Sequence, residues 1–158
     1  MMKTPLLRKE NFQFTISCLI TTVLGAAAYG KWFYPIEILK TWDRGIALFE
    51  LLLICLLWVF RQSSIAWLGL ILIFSSWSGY AFFWYTLKLP CSCMGEWLHI
   101  PSSFSICIDL LFIFLSALVA RQVGKNPKPF WTTLIFVLPS LGLGYAVGYL
   151  IYTIWIAP

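Results

Sequence analysis

Five long apolar runs separated by short polar links organise the chain. The first runs from about Phe12 to Gly30, the second from about Gly45 to Phe60 and the third from about Ser64 to Leu87. The fourth covers about Ser103 to Ala120 and the last about Trp131 to Trp155. Each is roughly 16 to 25 residues, close to what a helix needs to cross a hydrocarbon core of about 30 Å. Backbone groups in lipid must be paired within their own segment, so the runs predict helices. A transmembrane β-barrel would show alternating polarity, which Leu51-Leu52-Leu53-Ile54 lacks. The second run is the shortest, and Glu50 lies inside it.

Composition agrees with this pattern. Of 158 residues, 61% are hydrophobic and 11% charged. A soluble domain of this size has too few polar residues here to cover its outside. The expectation is an all-α integral membrane protein in one domain, with residues 1–158 forming a single unit. Basic residues set the orientation. Lys3, Arg8, Lys9, Arg61, Arg121, Lys125 and Lys128 fall on one side, which then holds seven of the eleven Lys and Arg. The positive-inside rule puts that side and the N-terminus in the cytoplasm. The net charge of +5 therefore reads as a topology signal, and nothing points to nucleic acid. The basic start and Ala26-Ala27-Ala28 resemble a signal peptide, but the apolar stretch is long for one and a retained first helix is expected.

The link between the third and fourth runs, Leu89-Pro90-Cys91-Ser92-Cys93-Met94-Gly95-Glu96-Trp97-Leu98-His99-Ile100-Pro101, concentrates the chemistry. It holds two of the five Cys and the single His. Pro90 should stop the third helix, Ser102 or Ser103 should cap the fourth, and Gly95 suits a turn. Three chemistries suit the loop. Cys91 and Cys93 can take part in thiol–disulfide exchange, a bridge across one residue being strained and easily reduced. Cys91, Cys93, Met94 and His99 can instead hold a soft metal. A permanently bridged structural loop is the third reading. Cys107 lies about 6 Å below the outer end of the fourth helix at 1.5 Å per residue, near enough to serve as a third thiol. Cys18 and Cys55 read as small apolar residues packed within the bundle.

Two acids inside the runs, Glu50 and Asp109, are functional candidates because carboxylates in lipid are costly. Glu50 can reach the interface or pair with Lys31 or Arg44. Asp109 has no local cation and is expected to face the bundle interior, in packing, proton handling or contact with a quinone. Gly144 and Gly148 form a G-x-x-x-G pair suited either to close packing within the chain or to a helix-mediated oligomer. Pro139 is expected to kink the last helix.

The stretch from Pro90 to Gly95, set between two apolar helices, resembles the C-x-C-x-G signature of the methylamine utilisation MauE family, redox-associated membrane proteins related to DoxX. Gly25, Lys31 and Trp32 are similar to that family's glycine and lysine at the end of its first helix, and Glu50 to its early acid in the second. The likeness covers about residues 12 to 120, leaving the last helix outside it. Met94 stands where the family has Phe or Gly, and Asp109 where it commonly has Asn. The resemblance implies a DoxX-like four-helix transmembrane bundle in the bacterial inner membrane, supporting disulfide formation or maturation of exported proteins beside a thioredoxin-like partner. By looser analogy with quinone-linked disulfide-forming proteins, it implies electron transfer between Cys91/Cys93 and a quinone. The competing class is a membrane assembly or maturation factor whose loop cysteines hold a shape or a metal.

Overall fold

The computed structural model describes residues 5–35, 40–89, 100–123 and 130–155. They form five α-helices: α1 (Pro5–Phe33), α2 (Lys40–Phe60), α3 (Ser64–Thr86), α4 (Ser102–Val123) and α5 (Phe130–Trp155). Among the described residues no β-strand ladder interrupts them. The helices outrun the apolar runs chiefly at two starts. α1 opens on Pro5, whose fixed φ suits the first helical position. α2 begins at Lys40, five residues ahead of the apolar stretch. Hydrophobicity marks the part of a helix that suits lipid, and the hydrogen-bonded helix continues into the polar layer.

Polarity is distributed inside out. Leu48, Leu52, Ile65, Phe114, Leu138 and Leu143 are exposed, while Ser17, Ser75, Ser105, Ser116, Lys31, Glu50 and Asp109 are buried. Such an arrangement suits a hydrocarbon surround, with polar groups turned to the bundle interior. Four helices, α1, α3, α4 and α5, contain stretches long and apolar enough to cross a membrane. This is a multi-pass membrane protein. The exception is α2, which carries Lys40, Asp43, Arg44 and Glu50 within its 21 residues. Two of these charges, Asp43 and Glu50, lie on its buried face with Ala47, Leu53 and Leu57.

One apolar core joins the first four helices. It consists of Ile16, Ile20 and Leu24 from α1, Leu53 and Leu57 from α2, Trp67, Leu70 and Phe74 from α3, and Phe112 and Val119 from α4. Spacings of three and four residues keep each set on one helix face. Two tryptophan N–H groups add polar ties. Trp58 Nε1 donates to Thr21 Oγ1 at 2.9 Å, tying α2 to α1. Trp67 Nε1 donates to the Arg61 carbonyl at 2.7 Å beneath the α2–α3 turn.

α5 adds nothing to that core and packs instead along α3. Its glycines explain how. A Cβ at Gly144 would collide with the Ser76 carbonyl oxygen, and one at Gly148 would lie 2.8 Å from the Phe83 ring. The fit is reciprocal, since a Cβ at Gly79 of α3 would collide with the Leu141 carbonyl. Gly144 and Gly148 therefore serve contact within the chain, and an oligomer built through α5 would have to use its other face. Phe83 fills the remaining space against Tyr145, Tyr149 and Tyr152, with ring centroids 5.2 to 6.2 Å apart. Pro139 lies inside α5, which continues through it.

Gly144→Leu should lower stability in detergent by about 2 kcal/mol, the usual cost of overpacking. Gly142→Leu, at a position where an added Cβ meets nothing within 4 Å, should be neutral. Thermal unfolding followed by tryptophan fluorescence checks this; equal effects of the two would mean that α5 is not held by its glycine face.

Candidate functional site

The core stripes turn polar toward one end of the bundle. On α1 the inward line through Leu24, Ala27 and Ala28 ends at Lys31. On α2 the line through Leu57, Leu53 and Ala47 includes Glu50 and ends at Asp43. On α4 the line through Val119, Ser116 and Phe112 reaches Asp109 and Ser105. The chain direction alternates between successive helices, so the end of α1 and the starts of α2 and α4 lie together. Four charged side chains are buried there: Lys31, Asp43, Glu50 and Asp109 are only 4%, 2%, 3% and 7% exposed.

Lys31 Nζ donates to Glu50 Oε1 at 2.6 Å. The lysine also sits in the last turn of α1, where the helix dipole favours a cation. Asp43 and Asp109 line the same cavity as this pair. The second carboxylate oxygen, Glu50 Oε2, is buried without a hydrogen-bond partner among the described residues. A buried acceptor left unpaired is costly, so it marks a place where a donor is wanted.

These groups surround a cavity of about 300 Å³ lined by all five helices. Phe74, Trp77, Tyr80 and Phe112 give it aromatic walls, and Lys31, Asp43, Glu50, Ser105 and Asp109 give it a polar side. Such a mixture, mostly apolar with a few converging polar groups, is the usual form of a small-molecule site.

Cys91, Cys93, Met94 and His99 lie outside the described residues. The two ends of their segment are fixed at the same end of the bundle as the cavity. α3 closes in a Schellman turn, with Lys88 N–H donating to the Tyr85 carbonyl and Leu89 N–H to that of Trp84. Lys88 adopts φ 55° there, a position usually given to glycine. The stop is thus complete before Pro90. Ser102 does not use its hydroxyl proton at α4's own start: Ser102 Oγ donates across to the Leu89 carbonyl at 2.7 Å and pins the two ends together. Ile100, just beyond the segment, lines the cavity.

The remaining sequence candidates divide. Asp109 faces the interior as expected, and Lys31 is the partner of Glu50; Arg44 lies instead over the Trp32 ring at 5.9 Å. Cys107 is exposed on the outer face of α4, turned away from the line carrying Ser105 and Asp109. Cys55 is exposed on α2 rather than packed within the bundle, because Leu53 and Leu57 occupy the buried face at that level. Cys18 is half-buried. Asp43, buried in the site, escaped the sequence reading. Its signal was its position seven residues before Glu50, two turns along the same helix face. Among the described residues no cluster of three or more His, Cys, Asp or Glu could hold a metal. Comparison with protein-family models, curated proteins and solved structures found no match.

Removing one member of a buried ion pair leaves the other charge unpaired, at a cost of about 3–5 kcal/mol. Lys31→Met should therefore destabilise the bundle severely, and Lys31→Met/Glu50→Leu should recover most of the loss. Denaturant unfolding of the two variants in detergent decides; a double variant as unstable as the single would mean that the pair is not the governing interaction.

Proposed function

We propose that this chain is a multi-pass protein of the bacterial inner membrane that performs thiol–disulfide exchange through Cys91 and Cys93. In this reading α2 also crosses the bilayer, with Asp43 and Glu50 turned inward. The N-terminus is cytoplasmic and the Cys91/Cys93 loop periplasmic. Helices α1 to α4 form a DoxX-like core, with α5 docked outside it. The partner is a thioredoxin-like or client protein with an accessible thiol pair.

The observation that carries the reading is a coincidence of place. Ser102 and Leu89, which flank the stretch with both loop cysteines, are bonded to each other, and Ile100 at its end lines the charged cavity. The resemblance to the MauE family and the distribution of basic residues support it independently. In the exchange, a thiolate of the partner attacks one sulfur of a Cys91–Cys93 disulfide, forming a mixed disulfide and releasing the other cysteine as thiolate. The partner's second thiol then resolves the mixed disulfide. The partner leaves oxidised, and Cys91 and Cys93 are left as a dithiol. A membrane quinone restores the disulfide by accepting two electrons and two protons. Lys31, Asp43, Glu50 and Asp109 supply polar contacts and proton-carrying groups for that step. Cys107, on the outer face of α4, takes part only if the loop reaches around the helix.

Acid-quenched native membranes, with free thiols mass-tagged before and after reduction, test the exchange. Cys91 and Cys93 should appear as a thiol–disulfide mixture that shifts with added reductant or quinone. A pair fully bridged under every condition would make the loop structural. Full client maturation by Cys91→Ser/Cys93→Ser would exclude the redox role, and copper retained on purified protein would favour the metal site at Cys91, Cys93, Met94 and His99.

Asp109→Leu should retain the fold while slowing the quinone-dependent reoxidation of the loop by tenfold or more. Stopped-flow reoxidation of the reduced protein provides the measurement. A variant folded and as fast as the parent would remove Asp109 from the site.

A further inference from the structure

The cavity's shape and its unmet hydrogen bond together define a ligand. α2 and α5 line it from different sides, through Trp42 and Ile46 on one helix and Leu143 and Val147 on the other. Those two helices are not held by extensive packing on each other: α2 packs chiefly on α1, and α5 on α3. Trp42, Leu143 and Val147 line the cavity and are also exposed on the outside of the bundle. A residue can do both only at a rim, so the cavity opens sideways between α2 and α5, toward lipid. A ligand using this opening is lipid-soluble.

The inner end specifies the rest. Phe74, Trp77, Tyr80 and Phe112 favour a flat ring, which they can meet by stacking or edge contacts. Glu50 is 3% exposed, lines the cavity, and keeps Oε2 without a donor among the described residues. Its other oxygen is already held by Lys31. A ligand that only accepts hydrogen bonds leaves Oε2 unsatisfied, whereas one bringing an O–H satisfies it.

We propose that the cavity binds a lipid-soluble aromatic compound bearing a ring hydroxyl, admitted between α2 and α5, with that hydroxyl donating to Glu50 Oε2. This deepens the preceding reading, from which it takes the lipid-soluble redox partner, and assigns the tighter binding to the hydroxyl-bearing reduced form. An oxidised quinone has carbonyl acceptors where the hydroquinone has donors, so the site distinguishes the two states of one molecule.

The test is equilibrium binding to the full chain in nanodiscs, read as saturable quenching of tryptophan fluorescence, since Trp42 and Trp77 line the cavity. Three probes of similar size are compared anaerobically: an alkyl hydroquinone, its dimethyl ether and the corresponding quinone. A charge-assisted hydrogen bond predicts that the hydroquinone binds at least about tenfold tighter than either other probe. Glu50→Gln should reduce that preference to about twofold. Val147→Trp, which narrows the opening without touching the ion pair, should weaken all three. Binding should be unchanged in Cys91→Ser/Cys93→Ser, so the measurement is independent of thiol exchange. A dimethyl ether or quinone that binds as tightly as the hydroquinone overturns the proposal, as does a Val147→Trp protein of unaltered affinity. Either result leaves the thiol-trapping experiment to decide the exchange function by itself.

Discussion

The Lys31–Glu50 ion pair constrains much of the bundle. A charge buried among apolar helices must meet its opposite at short range, and this pair does so at 2.6 Å. Meeting fixes the rotation of both helices about their axes. With Lys31 turned inward, Leu24, Ile20 and Ile16 follow on the same face of α1. With Glu50 turned inward, Leu53 and Leu57 follow on α2, and Asp43 comes with them. The hairpin's apolar stripe is thus phased by a polar contact at one end and by the Trp58–Thr21 hydrogen bond further along.

α3 organises the other half by a different means. In lipid, apolar side chains gain little from meeting one another, so close backbone approach and local hydrogen bonding matter more. The Ser75-Ser76-Trp77-Ser78-Gly79 stretch provides both. Ser75 and Ser76 donate to the carbonyls of Ile71 and Leu72 in their own helix, and Gly79 admits the α5 backbone. α4 and α5 both pack along this one helix. The two halves meet through the core made by Ile20, Leu57, Phe74 and Phe112, and beyond that core they diverge around the cavity. The cavity is therefore a consequence of two differently stabilised units sharing only part of their length.

The sequence made the helices legible because each apolar run is long and its links are short. The inward direction of Asp109 was legible too, since a carboxylate in lipid has few alternatives. Other features were hidden for definite reasons. Asp43 sits where the hydrophobic pattern has faded, so only its phase relative to Glu50 reveals it. Cys107 reads as close to the loop when depth alone is considered, but its angular position on α4 turns it outward, away from Ser105 and Asp109. The end of α3 depends on Lys88 adopting a glycine-like φ, which no composition rule anticipates. The convergence of α5 on the cavity was the least legible, because the reciprocal role of Gly79 depends on a contact with a helix some sixty residues later.

Stability alone does not account for the charged end. A buried ion pair is weak as a stabilising device, and apolar residues of similar size would serve a bundle as well or better. The small-residue contact of α3 with α5 and the four-helix core are built from residues other than Asp109 and Asp43. Three buried carboxyl groups and one lysine line the same cavity, and one acceptor lacks a donor among the described residues, an arrangement that suits the proton and hydrogen-bond exchange proposed above. They lie at the end of the bundle where Ser102 is bonded to Leu89 and Ile100 lines the cavity, the two described ends of the Cys91/Cys93 segment. In the proposed exchange, protons and electrons leaving Cys91 and Cys93 would meet a polar, partly enclosed cavity beside the two described ends of that segment.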